Sequence, residues 1–222
     1  MIVANGKPLE EIIEAVKDHR KILVAGCNEC VTVCEVGGSK EVGILASALR
    51  LYFLNQGIEA QVGETTLQRQ CDREYLVQAR EEVEPYEIVV SIACGVGCQF
   101  MAEEFSTQPV VPGVDTMFMG GALERGVWSE RCQGCGACLL AKTGGICPVS
   151  RCAKRVLNGP CGGSTAGKCE ISKDVDCAWQ LIVDRLKSLD RLEDYETLMP
   201  IKDWSTDRAG GPRTRIKQEV AS

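Results

Sequence analysis

Fourteen of the 222 residues are cysteine and only one, His19, is histidine. No other feature restricts the chain as strongly. With a single imidazole, a Cys–His or Ser–His mechanism has almost no material, and a zinc site would be built nearly all from thiolate. All-thiolate ligation suits iron–sulfur clusters and structural zinc alike. The start, Met1 to His19, is acidic and amphipathic, with no apolar stretch behind a basic one, so no secretory leader is expected. No apolar run approaches the ~18 residues that cross a bilayer. The expected location is cytoplasmic, where thiols stay reduced and dense cysteine reads as metal ligation rather than disulfides. The balance of 31 acidic against 25 basic residues, net −6, argues against a nucleic-acid partner.

The chain has two halves with different patterning. Residues 1–125 alternate strand and helix. A helix is predicted over 8–20, a strand over 21–25, and a helix from Ser39 as N-cap to a stop at Gly57. A strand over 58–62, a helix over 72–82, the clearest strand over 87–93, a helix near 98–105 and a strand at 110–111 follow. This order predicts an α/β fold with a parallel, Rossmann-like sheet covered on both faces. Apolar periodicity vanishes over 129–173, where Gly, Pro and Cys are dense, and one helix returns at about 174–189. Residues 126–190 therefore read as a cysteine-rich domain held by metal or cluster bonds, ferredoxin-like in character. Residues 191–222 read as an extended C-terminal arm, whose end beyond Asp207 is suited to order against a partner.

The cysteines fall into groups. Cys27, Cys30 and Cys34 follow the first buried strand. Cys71 joins them, with Cys94 and Cys98 after the strand ending at Ala93. Ligands of open parallel sheets collect outside the carboxyl ends of strands, so these distant segments can converge. Cys71 and Cys98 could also be small core residues; for Cys98 that reading is as good as ligation, and it is left out of the preferred ligands. Cys132-x2-Cys135-x2-Cys138 repeats the spacing of bacterial ferredoxins, with Cys147-Pro148 in place of their closing cysteine–proline pair. Here eight residues intervene before Cys147 rather than three, which leaves open whether it closes this cluster or serves a neighbour. Cys152, Cys161, Cys169 and Cys177 then span 26 residues and suit either a second cluster or a tetrathiolate zinc ion. No Walker A, GxSxG or HExxH pattern occurs, and nothing places acid, base and nucleophile around an organic substrate. The expectation is an electron-transfer protein with no catalytic residues of its own.

Several segments carry a family resemblance. Gly26-Cys27-Asn28-Glu29-Cys30 through Cys34, then Gly37-Gly38, resembles the cysteine loop of the small subunit of acetogen-type methylenetetrahydrofolate reductase. Arg69-Gln70-Cys71-Asp72 and Ser91-Ile92-Ala93-Cys94-Gly95-Val96-Gly97 resemble its next segments. Arg151-Cys152-Ala153-Lys154, Asn158-Gly159-Pro160-Cys161-Gly162-Gly163 and Gly167-Lys168-Cys169-Glu170 resemble the C-terminal domain of the same family. The likeness implies an iron–sulfur subunit with two or more [4Fe-4S] clusters and a zinc option. It also implies a partner: a flavin-containing barrel subunit that reduces 5,10-methylenetetrahydrofolate to 5-methyltetrahydrofolate in the reductive acetyl-CoA pathway. The flavin would sit on that partner. The alternative is a zinc-stapled scaffold that links the flavin subunit to other electron carriers without a redox role.

Overall fold

The computed structural model describes residues 1–207 and 211–217. The chain divides into two compact units, Met1–Ser129 and Glu130–Ser222. No helix among the described residues is long and apolar enough to cross a membrane.

The first unit is a mixed α/β structure. Its strands are β1 (Ile2–Gly6), β2 (Lys21–Cys27), β3 (Gln61–Leu67), β4 (Ile88–Ser91), β5 (Val110–Pro112), β6 (Val114–Glu124) and β7 (Val127–Cys132), the last crossing the division between the units. Its helices are α1 (Leu9–Val16), α2 (Cys30–Val33), α3 (Ser39–Asn55), α4 (Arg73–Gln78), α5 (Arg80–Val83) and α6 (Gly95–Glu104). A four-stranded parallel sheet has the order β3-β2-β4-β5. Both faces of β2 and β4 are covered, which is why they read as unbroken apolar runs. The period of two divides their side chains. Ile22, Val24, Ile88 and Val90 pack with Ile12 and Val16 of α1 and Val42, Ala46, Leu49 and Phe53 of α3. Leu23, Ala25 and Val89 pack with Leu76, Val83 and Met101 on the opposite face.

Differences from the sequence expectation have local causes. Ser39 is the first residue of α3 rather than its cap. Gly38 takes the cap position, and its N–H donates to the Glu41 carboxylate at 3.0 Å. The strand expected over 58–62 starts three residues later, at Gln61, and runs through polar Glu64 and Thr66. It lies at the sheet edge, where one side needs no apolar cover. A second sheet, order β1-β6-β7, was not expected at all. Ile2 pairs with Met119 and Gly6 with Val114, more than a hundred residues away. β6 buries little besides Val114, so it shows no apolar alternation.

The second unit contains α7 (Pro148–Arg151), α8 (Ala178–Ser188), α9 (Glu193–Glu196) and a 3-10 turn, Trp204–Thr206. Its buried apolar cluster is small: Trp179, Ile182 and Leu186 of α8, backed by Ile146, Cys152, Val156, Cys177 and Met199. Within 191–222, Arg191 donates to Ala141 O at 2.9 Å, and Met199 exchanges two hydrogen bonds with the Asn158 amide at 2.8 and 2.9 Å. Residues 208–210 and 218–222 of the expected arm lie outside the described residues.

Candidate functional site

From β2 the chain runs outward to β3, then returns past β2 to β4 and outward to β5. The order reverses between β2 and β4, and crevices open at such switch points, outside the carboxyl ends of the strands. Cys27 ends β2, Cys94 caps the N-terminus of α6 after β4, and Cys71 follows β3. Three distant segments thus bring thiols to one end of the sheet. The Cys71 thiol is pushed up, first by crowding against protein and then by the charges of Cys94 and Cys27.

A buried amide ties this crevice together. Gln70 is 0% exposed. Its Nε2 donates to Ala25 O at 3.0 Å and Gly26 O at 2.9 Å, at the end of β2. Its Oε1 accepts from Ser91 Oγ at 2.7 Å, at the end of β4. One side chain therefore bridges both strands next to Cys71. Replacing Gln70 by Ala should cost about 2–4 kcal/mol, because it removes three buried hydrogen bonds, leaves the Ser91 hydroxyl without its acceptor and opens a cavity. The urea midpoint of the full chain, at unchanged m-value, checks this. An unmoved midpoint would rule out the bridging role.

The other cysteines of the first group differ. Cys30 opens α2 and Cys34 ends it. Cys34 is buried, and its Sγ donates to Ile2 O at 3.6 Å, so its thiol faces β1. Burial pushes the Cys34 thiol up, and the charge of Cys30 adds to that. Cys98 is pushed up by burial as well, against a hydrogen-bonding contact with Ser91.

In the second unit, Cys132, Cys135 and Cys138 occupy a loop in which Gly134 and Gly136 both have φ of 62° and Ala137 has φ of 38°. The left-handed turns expose backbone N–H groups, and Gly134 N–H donates to Cys132 Sγ at 3.3 Å. N–H···S contacts of this type are among the interactions that tune cluster sulfurs. The loop is held from behind, since the Cys135 carbonyl accepts from Lys202 Nζ at 3.1 Å and Thr206 Oγ1 at 3.0 Å. Cys147 caps α7, with Pro148 at its first position.

Cys152, Cys161, Cys169 and Cys177 line a single small cavity of about 20 Å³. That is the space of roughly one water-sized sphere. The Lys154–Glu170 ion pair sits at its wall. Burial acts to raise the Cys177 thiol. Hydrogen bonds from Ser164 and from the N–H groups of Gln180 and Trp179, at the start of α8, outweigh it and pull the thiol below the ordinary range. These contacts favour the thiolate of Cys177 more than water does. Among the described residues, no three His, Cys, Asp or Glu side chains stand close enough, as they are, to hold a metal ion. The donor chemistry still fits one: four soft thiols share a cavity of single-ion size, and one of them is biased toward thiolate.

These features define a thiol-rich α/β protein with sulfur sites in both units. Residues 111–205 match the family described as methylene-tetrahydrofolate reductase C terminal. The matched segment takes in the cysteines from Cys132 to Cys177, and over it the chain is similar to that family. No curated protein matches the chain. Sequence reasoning missed Gln70 and Lys202. Adjacency to Cys71 was the only signal for the first. For the second it was a lysine two residues from Trp204 in a stretch read as an extended arm.

Proposed function

We propose that the chain is the iron–sulfur electron-transfer subunit of a methylenetetrahydrofolate reductase complex. Its partner would be a flavin-containing barrel subunit that reduces 5,10-methylenetetrahydrofolate to 5-methyltetrahydrofolate. The observation that supports the reading is the ferredoxin-spaced Cys132–Cys135–Cys138 loop within the matched segment, whose left-handed turns direct the Gly134 N–H at Cys132 Sγ at 3.3 Å. Bonds from Cys152, Cys161, Cys169 and Cys177 would hold the irregular second unit together and keep its remaining thiols positioned.

The residues would divide by their settings. Cys27, Cys71 and Cys94, with Cys30 or Cys34, would hold one [4Fe-4S] cluster at the switch point. Cys132, Cys135, Cys138 and Cys147 would hold another. The cavity of Cys152, Cys161, Cys169 and Cys177 is small for a cubane and suits a single zinc ion. Bound clusters supply one-electron transfer. The chain's own contribution is to fix thiolates, direct N–H groups at sulfur and shield the sites from water, while hydride chemistry stays with the flavin of the partner.

Iron, sulfide and zinc per chain, measured on protein kept from oxygen together with low-temperature EPR, test this directly. The expected result is about eight iron and one zinc per chain, on the basis of two four-iron clusters and a structural site. A colourless protein that carries zinc alone would leave only the scaffold role.

A further inference from the structure

Lys202 is only 5% exposed. Its Nζ donates to the carbonyls of Cys135 at 3.1 Å and Asp203 at 3.2 Å, and stands 4.9 Å from the centroid of the Trp204 ring. No carboxylate among the described residues forms an ion pair with it. The adjacent Asp203 carboxylate turns instead to Ser205, accepting from its N–H at 2.9 Å and its Oγ at 2.5 Å. A cation taken out of water is costly unless a countercharge balances it. Carbonyl dipoles and a ring face are weak substitutes. The Asp203 carboxylate feels the charge of this ammonium without contacting it, and the group the ammonium does hold is the backbone of the three-cysteine loop. The fit behind that loop is also tight: a Cβ on Gly136 would lie 2.6 Å from Thr206 Cβ, so the Lys202–Thr206 segment sits directly against the turn.

We propose that Lys202 is a charge-compensating and positioning residue for the Cys132–Cys135–Cys138 loop, raising the electron affinity of the centre those thiolates hold. The inference rests on the reading that this loop holds an iron–sulfur cluster. Reduction of such a cluster by one electron adds one negative charge and transfers nothing else. A buried cation beside it stabilises the reduced form more than the oxidised form, because the added charge falls close to it in a poorly screened site. Thr206 donates to the same carbonyl without carrying charge. It therefore separates the mechanical role from the electrostatic one.

The test uses the full chain, purified anaerobically, as wild type and as the Lys202→Met, Lys202→Arg, Thr206→Val and Cys135→Ser variants. Iron per chain is measured, and EPR is recorded across a potential series set with dithionite and mediators. In Lys202→Met, the ratio of reduced to oxidised centre at the wild-type midpoint should fall about tenfold, equivalent to 59 mV for a one-electron couple. Lys202→Arg should restore most of the ratio, and Thr206→Val should leave it near wild type. Loss of iron in Lys202→Met alone, with iron retained in Lys202→Arg, supports the charge role equally. An unmoved ratio in Lys202→Met, or equal loss of iron in the Met and Arg variants, overturns it. If Cys135→Ser removes no EPR signal, the loop holds no such centre, and the underlying reading fails before the inference does.

Discussion

Stripping metal from the reduced chain with a strong chelator should unfold the cysteine-rich unit and leave the parallel sheet intact. The second unit buries three large apolar side chains, Trp179, Ile182 and Leu186, around a single helix of three turns. Burial of each is worth about 1.5–3 kcal/mol. Residues 133–147 and 152–177 contain no helix or ladder that could order them independently, apart from isolated bridges at Thr165–Lys168 and Lys168–Asp176. Structural tetrathiolate zinc contributes about 10 kcal/mol or more, which matches the whole net stability of a small domain. Loss of that contribution should be decisive. Hydrogen exchange read by mass spectrometry would show it: amides of α8 should lose protection by several orders of magnitude on chelation, while β2 and β4 keep theirs. Protection of α8 that survives complete removal of metal would show that packing alone folds this unit.

How far the sequence disclosed this architecture depends on where each signal is stored. β2 and β4 were legible because burial on both faces demands continuous Ile, Val and Leu, and that pattern is local. α3 was legible from its apolar face and from Gly57, which leaves the helix at φ of 67°. The crevice could be anticipated because cysteines followed two such strands. β1 and β6 were not legible, since their pairing spans more than a hundred residues and most of β6 is exposed. The direction of the Cys34 thiol was hidden for a related reason. Three residues of spacing say nothing about the short helix α2, which turns Cys34 toward a carbonyl of β1. Gln70 and Lys202 were the hardest. Each is a polar residue in a polar stretch, and only the tertiary fold reveals that it is buried and bridges other segments.

Substituting Gly37 by Ala should disable the switch-point site while sparing the second unit. Gly37 closes the loop that carries Cys27, Cys30 and Cys34, and Cys27 N–H donates to its carbonyl at 2.9 Å. A Cβ there would lie 2.1 Å from Ile92 O and 2.6 Å from Val31 Cγ2. The first obstacle is backbone. Ile92 is fixed in turn by its own N–H, which donates to Ala25 O at 2.9 Å, so β4 cannot yield without releasing β2. The loop must move instead, carrying Cys30 and Cys34 away from the strand ends. Overpacking against an immobile main chain places the cost at about 3–5 kcal/mol, in the upper tail for single substitutions. Gly43, inside α3, provides the contrast. A Cβ there meets nothing closer than Glu64 Oε2 at 3.6 Å. Gly43→Ala should therefore stabilise the chain by about 0.5–1 kcal/mol through helix propensity alone. Urea midpoints of the two variants should move in opposite directions. Metal analysis of Gly37→Ala should show loss of roughly one cluster's iron with zinc retained, as expected if the cubane's four irons sit at the switch point. Equal midpoints for Gly37→Ala and wild type would mean that the loop can relax away from Ile92 and that its close approach does not set the position of the thiols.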